Sequence, residues 1–136
     1  MKMTIEGVNP PVRKTKGSCG YDIHCPENID INAGQWASID TGILLDPGDI
    51  PEGYVGLIVP RSSMGMKYKL RMANTVGVID SDYTMATIKA TITVETDIQL
   101  MKNERILQMI LVPFGVIPTE EPPTEDRKGG CGSTGL

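Results

Sequence analysis

Histidine and aromatic residues are what this sequence has least of. His24 is the single histidine among 136 residues, and Trp, Tyr and Phe together supply only 4% of the chain. One imidazole excludes a histidine-rich metal cluster and leaves little room for a catalytic triad. With so few aromatics, the core must be built from Ile, Val, Leu and Met. Cysteine is also sparse: Cys19, Cys25 and Cys131 are odd in number and lack CxxC spacing. That argues against zinc and disulfide frameworks and for reduced thiols. No apolar run approaches the roughly 20 residues that span a bilayer. The start, MKMTIEGVNPPVRK, is polar and broken by prolines, unlike a signal peptide. A soluble protein of the cytoplasm, or of a host cell's cytoplasm if viral, is expected, with no membrane partner. Basic charge is short as well, 13 residues against 17 acidic ones for a net charge of −4. This speaks against a protein that tracks a nucleic-acid backbone. A compact phosphate site remains open, because it needs a few placed donors and no basic surface.

What the chain has in abundance is punctuation. There are 15 glycines and 10 prolines, and between them lie apolar stretches of four to eight residues without helical period. Ile29–Ile31 and Trp36–Ile43 read as strands before the turn material DPGDIPEG. Tyr54–Val59 is a near-continuous apolar run that predicts a strand buried on both faces. Ile88, Ala90, Ile92 and Val94 alternate with Thr87, Lys89, Thr91 and Thr93, the period of a half-buried strand. Ile106–Val112 is a further buried run, and only Ser62–Arg71 could hold a helix. Many short strands with turns between them predict an all-β sandwich, jelly roll or small barrel. After Phe114 the sequence turns Pro-rich and acidic, IPTEEPPTEDRKGG. Residues 1–115 therefore predict one β domain, and residues 116–136 an exposed, mobile arm with a glycine-rich end.

Four segments could carry chemistry. In Gly77-Val78-Ile79-Asp80-Ser81-Asp82-Tyr83, two acids and a tyrosine interrupt an apolar stretch. A carboxylate at the lip of a buried strand can serve as a general base, raised in pKa by partial burial; the plainer reading is a strand-end turn. Pro60-Arg61-Ser62-Ser63-Met64-Gly65 offers a guanidinium fork, two hydroxyls and free N–H groups, a good anion cradle. Its plainer reading is a surface arginine with Ser as a helix N-cap. Gly129-Gly130-Cys131-Gly132-Ser133-Thr134-Gly135 could wrap a phosphate with backbone and hydroxyl donors, or be a disordered end. It is not a Walker A loop, lacking the GK[ST] ending. In Glu104-Arg105-Ile106-Leu107-Gln108-Met109, Arg105 and Gln108 interrupt core and need partners. For Arg105 a salt bridge to Glu104 or Asp82 is the structural reading.

Taken in order, GYD at 20–22, PRSS at 60–63, NTVGVIDSDY at 74–83, ERILQMI at 104–110 and GGCGSTG at 129–135 resemble the five motifs of the trimeric dUTPases. The resemblance runs from about residue 10 to the end. It implies a distorted jelly roll of the β-clip type that assembles as a homotrimer with shared active sites. It also implies hydrolysis of dUTP to dUMP and pyrophosphate with Mg²⁺. Asp80 matches the aspartate that activates the attacking water. Tyr83 matches the ring that packs under the deoxyribose. Asn74, Gly77, Val78 and Ile79 match the uracil and sugar pocket. Arg61, Ser62, Ser63 and Gly65 fall in the phosphate-binding turn, and Gln108 matches a glutamine that reaches the phosphates. Asp22 matches an aspartate that meets Mg²⁺ through water. Gly132, Ser133 and Thr134 fall in the tail motif that closes on the γ-phosphate.

Three departures stand out. Cys131 occupies the place of the aromatic that stacks on uracil, a change worth roughly 1–3 kcal/mol by analogy with other base–aromatic stacks. Arg127 lies one residue later than the family's tail arginine. Thr84-Met85-Ala86 contains an apparent extra residue, which predicts a bulge or changed register in the hairpin that reads uracil. With register recovered, Lys89 has its backbone toward the base. The alternative readings are a sister nucleotide pyrophosphatase with another base preference and a nucleotide-responsive regulatory homologue. A dCTP deaminase fits less well, lacking its catalytic glutamate.

Overall fold

The computed structural model describes residues 1–129. The punctuation seen in the sequence sets its strand ends. Strands β1 (Lys2–Met3), β2 (Tyr21–His24), β3 (Ile29–Ile31), β4 (Trp36–Asp40) and β5 (Ile43–Leu44) precede the Pro/Gly turn. Then come β6 (Tyr54–Pro60), helix α1 (Ser62–Tyr68), β7 (Arg71–Met72) and β8 (Gly77–Ile79). The chain completes its sheets with β9 (Lys89–Thr93), β10 (Ile98–Leu100) and β11 (Arg105–Pro113). All pairings are antiparallel, and they form a four-stranded sheet β2-β11-β6-β8, a three-stranded sheet β4-β9-β7 and the pairs β1-β5 and β10-β3. The result is an all-β jelly roll with one short helix.

Aliphatic side chains from both larger sheets meet in one core. Ile23, Ile58 and Leu107 come from the first, Ile39 and Ile92 from the second, and Ile88 and Val94 flank β9; all are at most 2% exposed. Helix α1 follows directly on β6 and stops after seven residues. Lys69 adopts the left-handed conformation (φ 53°) and its N–H bonds back into the helix, while the N–H of Leu70 reaches the carbonyl of Met64. This is the helix stop expected of a left-handed residue just past the last turn. The helix begins at Ser62 with no side-chain cap, so the N-cap reading of the serine does not hold and its hydroxyl is not spent on the backbone.

Two strand expectations are corrected. Trp36–Ile43 is not one strand: β4 ends at Asp40 and β5 begins at Ile43. Between them the Thr41 hydroxyl donates to the carbonyl of Ile88 at 2.6 Å, and Gly42 takes φ 73°. Nor is β6 buried on both faces in this chain, since only Gly56 and Ile58 are buried while Val55, Leu57 and Val59 are half-buried. The register pairs Val55 with Val112, Leu57 with Ile110 and Val59 with Gln108. These six half-buried residues form one face of the sheet, pointing away from the core.

Candidate active site

The antiparallel pairing of β8 with β6 places Gly77 opposite Ile58. A Cβ at Gly77 would lie 3.1 Å from that of Ile58, so the strand needs glycine to sit this close. β8 thereby delivers Asp80 to the rim of a cavity of about 770 Å³. Its walls include Asn74, Gly77, Val78, Ile79, Asp80, Tyr83, Lys89 and Arg127, all of them residues singled out from sequence. Ser38, Asp40, Met72 and Thr91 also line it and were missed. On alternating strands their polar members look like any solvent-facing position. The Ser38 and Thr91 hydroxyls, 3.3 Å apart across β4 and β9, are a pairing that only the register reveals.

A tight turn shapes the acidic rim. The N–H of Tyr83 bonds to the carbonyl of Asp80 at 3.0 Å, and that of Thr84 to Asp82 at 2.9 Å. The Tyr83 hydroxyl donates to the carbonyl of Thr87 at 3.2 Å, which fixes the ring. The Asp80 side chain is 55% exposed. Its suitability as a base therefore rests on placement. Arg127 spans both acids, with Nη2 2.5 Å from Asp80 and Nε 2.7 Å from Asp82, and its guanidinium lies 5.8 Å from the Tyr83 ring centre. The bond to Asp82, reinforced by both negative charges, raises the arginine's pKa further.

The remaining predicted residues gather elsewhere in the chain. Asp22, 8% exposed, bonds Nε of Arg61 at 3.2 Å and lies 3.5 Å from Nη1 of Arg105. The partner of Arg105 is thus Asp22, with neither Glu104 nor Asp82 paired to its side chain. Arg61 also donates to the carbonyl of Arg105 at 3.3 Å. Gln108 pairs with Asp22 across β2 and β11, and its amide donates to the carbonyl of Pro60 at 3.4 Å. Ser62, Ser63 and Gly65 sit in α1 immediately after this cluster. None of Asp22, Arg61, Ser62, Ser63, Gly65 or Gln108 lines the cavity at Asp80. Cys131, Gly132, Ser133 and Thr134 lie outside the described residues.

Beside the Asp22 cluster, burial pushes the pKa of His24 down, against an opposing bond to the backbone of Asn9 and the charge of Asp22. Its buried Nδ1 has no partner among the described residues. Burial drives the Cys25 thiol up to about 11, whereas Cys19 is exposed. Both fit structural roles for the buried pair. No helix among the described residues is long and apolar enough to cross a membrane.

The sequence model of the dUTPase family matches residues 7–135. The chain belongs to the dUTPase family. A deoxyuridine 5'-triphosphate nucleotidohydrolase of Paramecium bursaria Chlorella virus 1 is 35% identical over 142 aligned positions, covering 100% of this chain and 96% of the relative. In structure, the chain is similar to a mutant of the Staphylococcus bacteriophage 80alpha dUTPase with dUpNHpp. The TM-score is 0.75 at 24% identity, over 91% of this chain and 95% of the other. It is likewise similar to a mutant dUTPase from phage phi11 of S. aureus, described as coordinating a structural Mg(II) ion. There the TM-score is 0.75 at 22% identity, over 90% and 95% of the two chains. Both structural likenesses carry the fold.

The bulge or changed register expected near Thr84-Met85-Ala86 is not found in the strand that follows. The strand itself is regular: Lys89–Thr93 pairs with Asp40–Trp36 over five residues without a shift. The loop from Asp80 to Ile88 leads into it, and Ile88 is tied by its N–H to the carbonyl of Ile43 at 2.9 Å. Lys89 opens β9 on the cavity wall. For a metal, no group of three or more His, Cys, Asp or Glu is suitably clustered among the described residues. Asp22 is taken up by arginines, and Asp80 and Asp82 by Arg127. Such a donor set does not make a protein cage, but it fits Mg²⁺ held by substrate phosphates and water.

Proposed function

We propose that this chain hydrolyses dUTP to dUMP and pyrophosphate, with Asp80 activating the water that attacks the α-phosphorus. A hydrolase acting on dUTP is what membership of the family means. The observation that supports the mechanism is the placement of Asp80 at the rim of a cavity of about 770 Å³, within the size range of small-molecule sites. Asp80 accepts a proton as the water oxygen bonds to the α-phosphorus. The bond from that phosphorus to its bridging oxygen breaks, and pyrophosphate departs with the electron pair. Tyr83 supports the deoxyribose, and Asn74, Gly77, Val78, Ile79 and the backbone at Lys89 surround the uracil. Cytosine in that place would leave buried polar groups unpaired, at roughly 1–3 kcal/mol each.

We assign the phosphates to Arg61, Ser62, Ser63, Gly65 and Gln108, together with Arg127, Gly132, Ser133 and Thr134, and assign Cys131 to substrate binding as well. Mg²⁺, when bound to the triphosphate, supplies charge neutralisation and fixes the phosphate geometry. Asp22 is the carboxylate we assign to it, through water. Because the phosphate residues do not line the cavity of the same chain, we assign them to a neighbouring subunit's site in a homotrimer. Residues 1–115 serve as the β domain and 116–136 as the arm, acting on the soluble nucleotide pool of the cytoplasm.

The test is pyrophosphate release from dUTP, dCTP, dTTP and UTP with Mg²⁺, run beside Asp80→Asn. Turnover of dUTP alone is expected, falling about 10²–10⁴-fold in the variant, while a non-hydrolysable dUTP analogue still binds. Turnover of another nucleotide would move the activity to a sister pyrophosphatase. Equal loss of binding and turnover in the variant would remove Asp80 from the role of base.

A further inference from the structure

Thr41 is only 1% exposed. Burying a hydroxyl costs stability unless it is bonded, and here both of its roles are used. It donates to the carbonyl of Ile88 at 2.6 Å and accepts the N–H of Ile43 at 3.2 Å. The Thr41 N–H reaches the same Ile88 carbonyl at 3.0 Å, and Ile88 gives its own N–H to the carbonyl of Ile43 at 2.9 Å. Ile88 is fully buried. It is gripped from both sides by the short segment that separates β4 from β5.

This grip bears on the cavity through one peptide. The N–H of Ile88 and the carbonyl of Thr87 are opposite ends of a single planar unit, so fixing the direction of the first fixes that of the second. The Thr87 carbonyl accepts the Tyr83 hydroxyl at 3.2 Å. Tyr83 lines the cavity, is half-buried and packs against the core. A bonded chain therefore runs from Thr41, through Ile43 and the Thr87–Ile88 peptide, to a ring on the cavity wall.

We infer that Thr41 is a positioning residue for substrate selection: its buried hydroxyl sets the Thr87 carbonyl, which holds the Tyr83 ring close enough to the sugar to reject a 2′-hydroxyl. The inference rests on the reading of Tyr83 as the support of the deoxyribose. An apolar ring face held against the C2′ methylene leaves an added hydroxyl crowded and without a hydrogen bond. A ring free to recede would admit it. Threonine suits the task because its hydroxyl makes both bonds while branching at Cβ restricts the side chain to few rotamers. Valine has the shape without the bonds, and serine has the bonds without the methyl.

Comparing those two substitutions tests the assignment. Thr41→Val should lower the ratio of kcat/KM for dUTP over UTP by roughly five- to tenfold, the worth of about one hydrogen bond. Thr41→Ser should keep the parent ratio even though its missing methyl lowers the melting temperature. Tyr83→Phe, which removes the hydroxyl at the other end, should lower the ratio by a similar factor. Adding Thr41→Val to Tyr83→Phe should cost nothing further, since the two hydroxyls act in one chain of bonds. In ligand-free protein, the Tyr83 ring resonances in NMR spectra should shift or broaden in Thr41→Val and stay in place in Thr41→Ser. A folded Thr41→Val with the parent ratio and unmoved ring resonances would overturn the inference. So would a Thr41→Ser that loses the ratio as fully as Thr41→Val, or additive losses in the double variant. A parent that turns over UTP as readily as dUTP would instead count against Tyr83 as the sugar's support, and the ring resonances would then decide by themselves whether Thr41 positions it.

Discussion

A side chain added at Gly20 would place its Cβ 2.2 Å from Oε1 of Gln108 and 3.2 Å from its Cδ. Only the far end of a flexible side chain stands in the way, so the fold can yield by moving the amide. The cost to stability should then be about 1 kcal/mol, the low end for overfilling a packed site. The cost to function should be larger, because Gln108 is assigned to the phosphate chain and its amide would be turned from its place beside Pro60. Losing one hydrogen bond to a charged partner is worth about 1.5 kcal/mol, or roughly a tenfold rise in KM for dUTP. Gly20→Ala should therefore melt close to the parent in thermal denaturation while its KM rises and kcat holds. An unchanged KM would mean that Gln108 does not touch the substrate. GYD was recognisable in the sequence as a motif, but why glycine stands there was not, since the neighbour that demands it is 88 positions away along the chain.

At the scale of elements, Asp22 ties β2 to β11 and to the turn between β6 and α1, through Arg105 and Arg61. Asp22→Asn keeps the shape and removes the charge from a residue 8% exposed. The loss should be about 1–3 kcal/mol of unfolding free energy, kept moderate because Arg105 is one-third exposed and retains solvent. Urea titration measures it directly, and a midpoint unmoved by the substitution would show that the two arginines are held by other contacts. The strands around this cluster were legible because proline and glycine bound them and the apolar period is two. What was not legible were pairings between strands. The partner of Arg105 came out as Asp22 because β11 lies beside β2, and a register shift between Arg105 and Leu107 aims it there. The Ser38, Asp40 and Thr91 wall of the cavity stayed hidden for the same reason, since facing strands give no sign in either sequence alone. The changed register expected near Met85 is likewise corrected only by the pairing itself, since β9 lies in register with β4 and Ile88 is bonded to Ile43.

Across the whole molecule, one face of the four-stranded sheet is left half-covered. Val55, Leu57 and Val59 on β6 stand beside Val112, Ile110 and Gln108 on β11, and the pairing of Gln108 with Asp22 carries the same face on to β2. The apolar strip therefore runs straight into the cluster assigned to the phosphates. The near-continuous apolar character of Tyr54–Val59 makes sense if the outer face is covered by another copy, because solvent would otherwise select polar residues at alternate positions. Covering such a strip with further chains would stabilise each half-buried aliphatic side chain by roughly 1 kcal/mol. It would also bring the Asp22, Arg61 and Gln108 cluster toward a neighbouring chain. Light scattering should give three times the 14.7 kDa chain mass. Ile110→Asp, which puts a charge in the middle of the strip, should reduce the mass to that of one chain and remove dUTP turnover together, since no chain then holds a complete site. A parent protein that runs as a single chain and still hydrolyses dUTP would show that one chain suffices, and the separation of the cavity from the phosphate cluster would then have to be bridged by the arm. A variant that stays trimeric would place the contact elsewhere, and the apolar outer face of β6 and β11 would need a different cover.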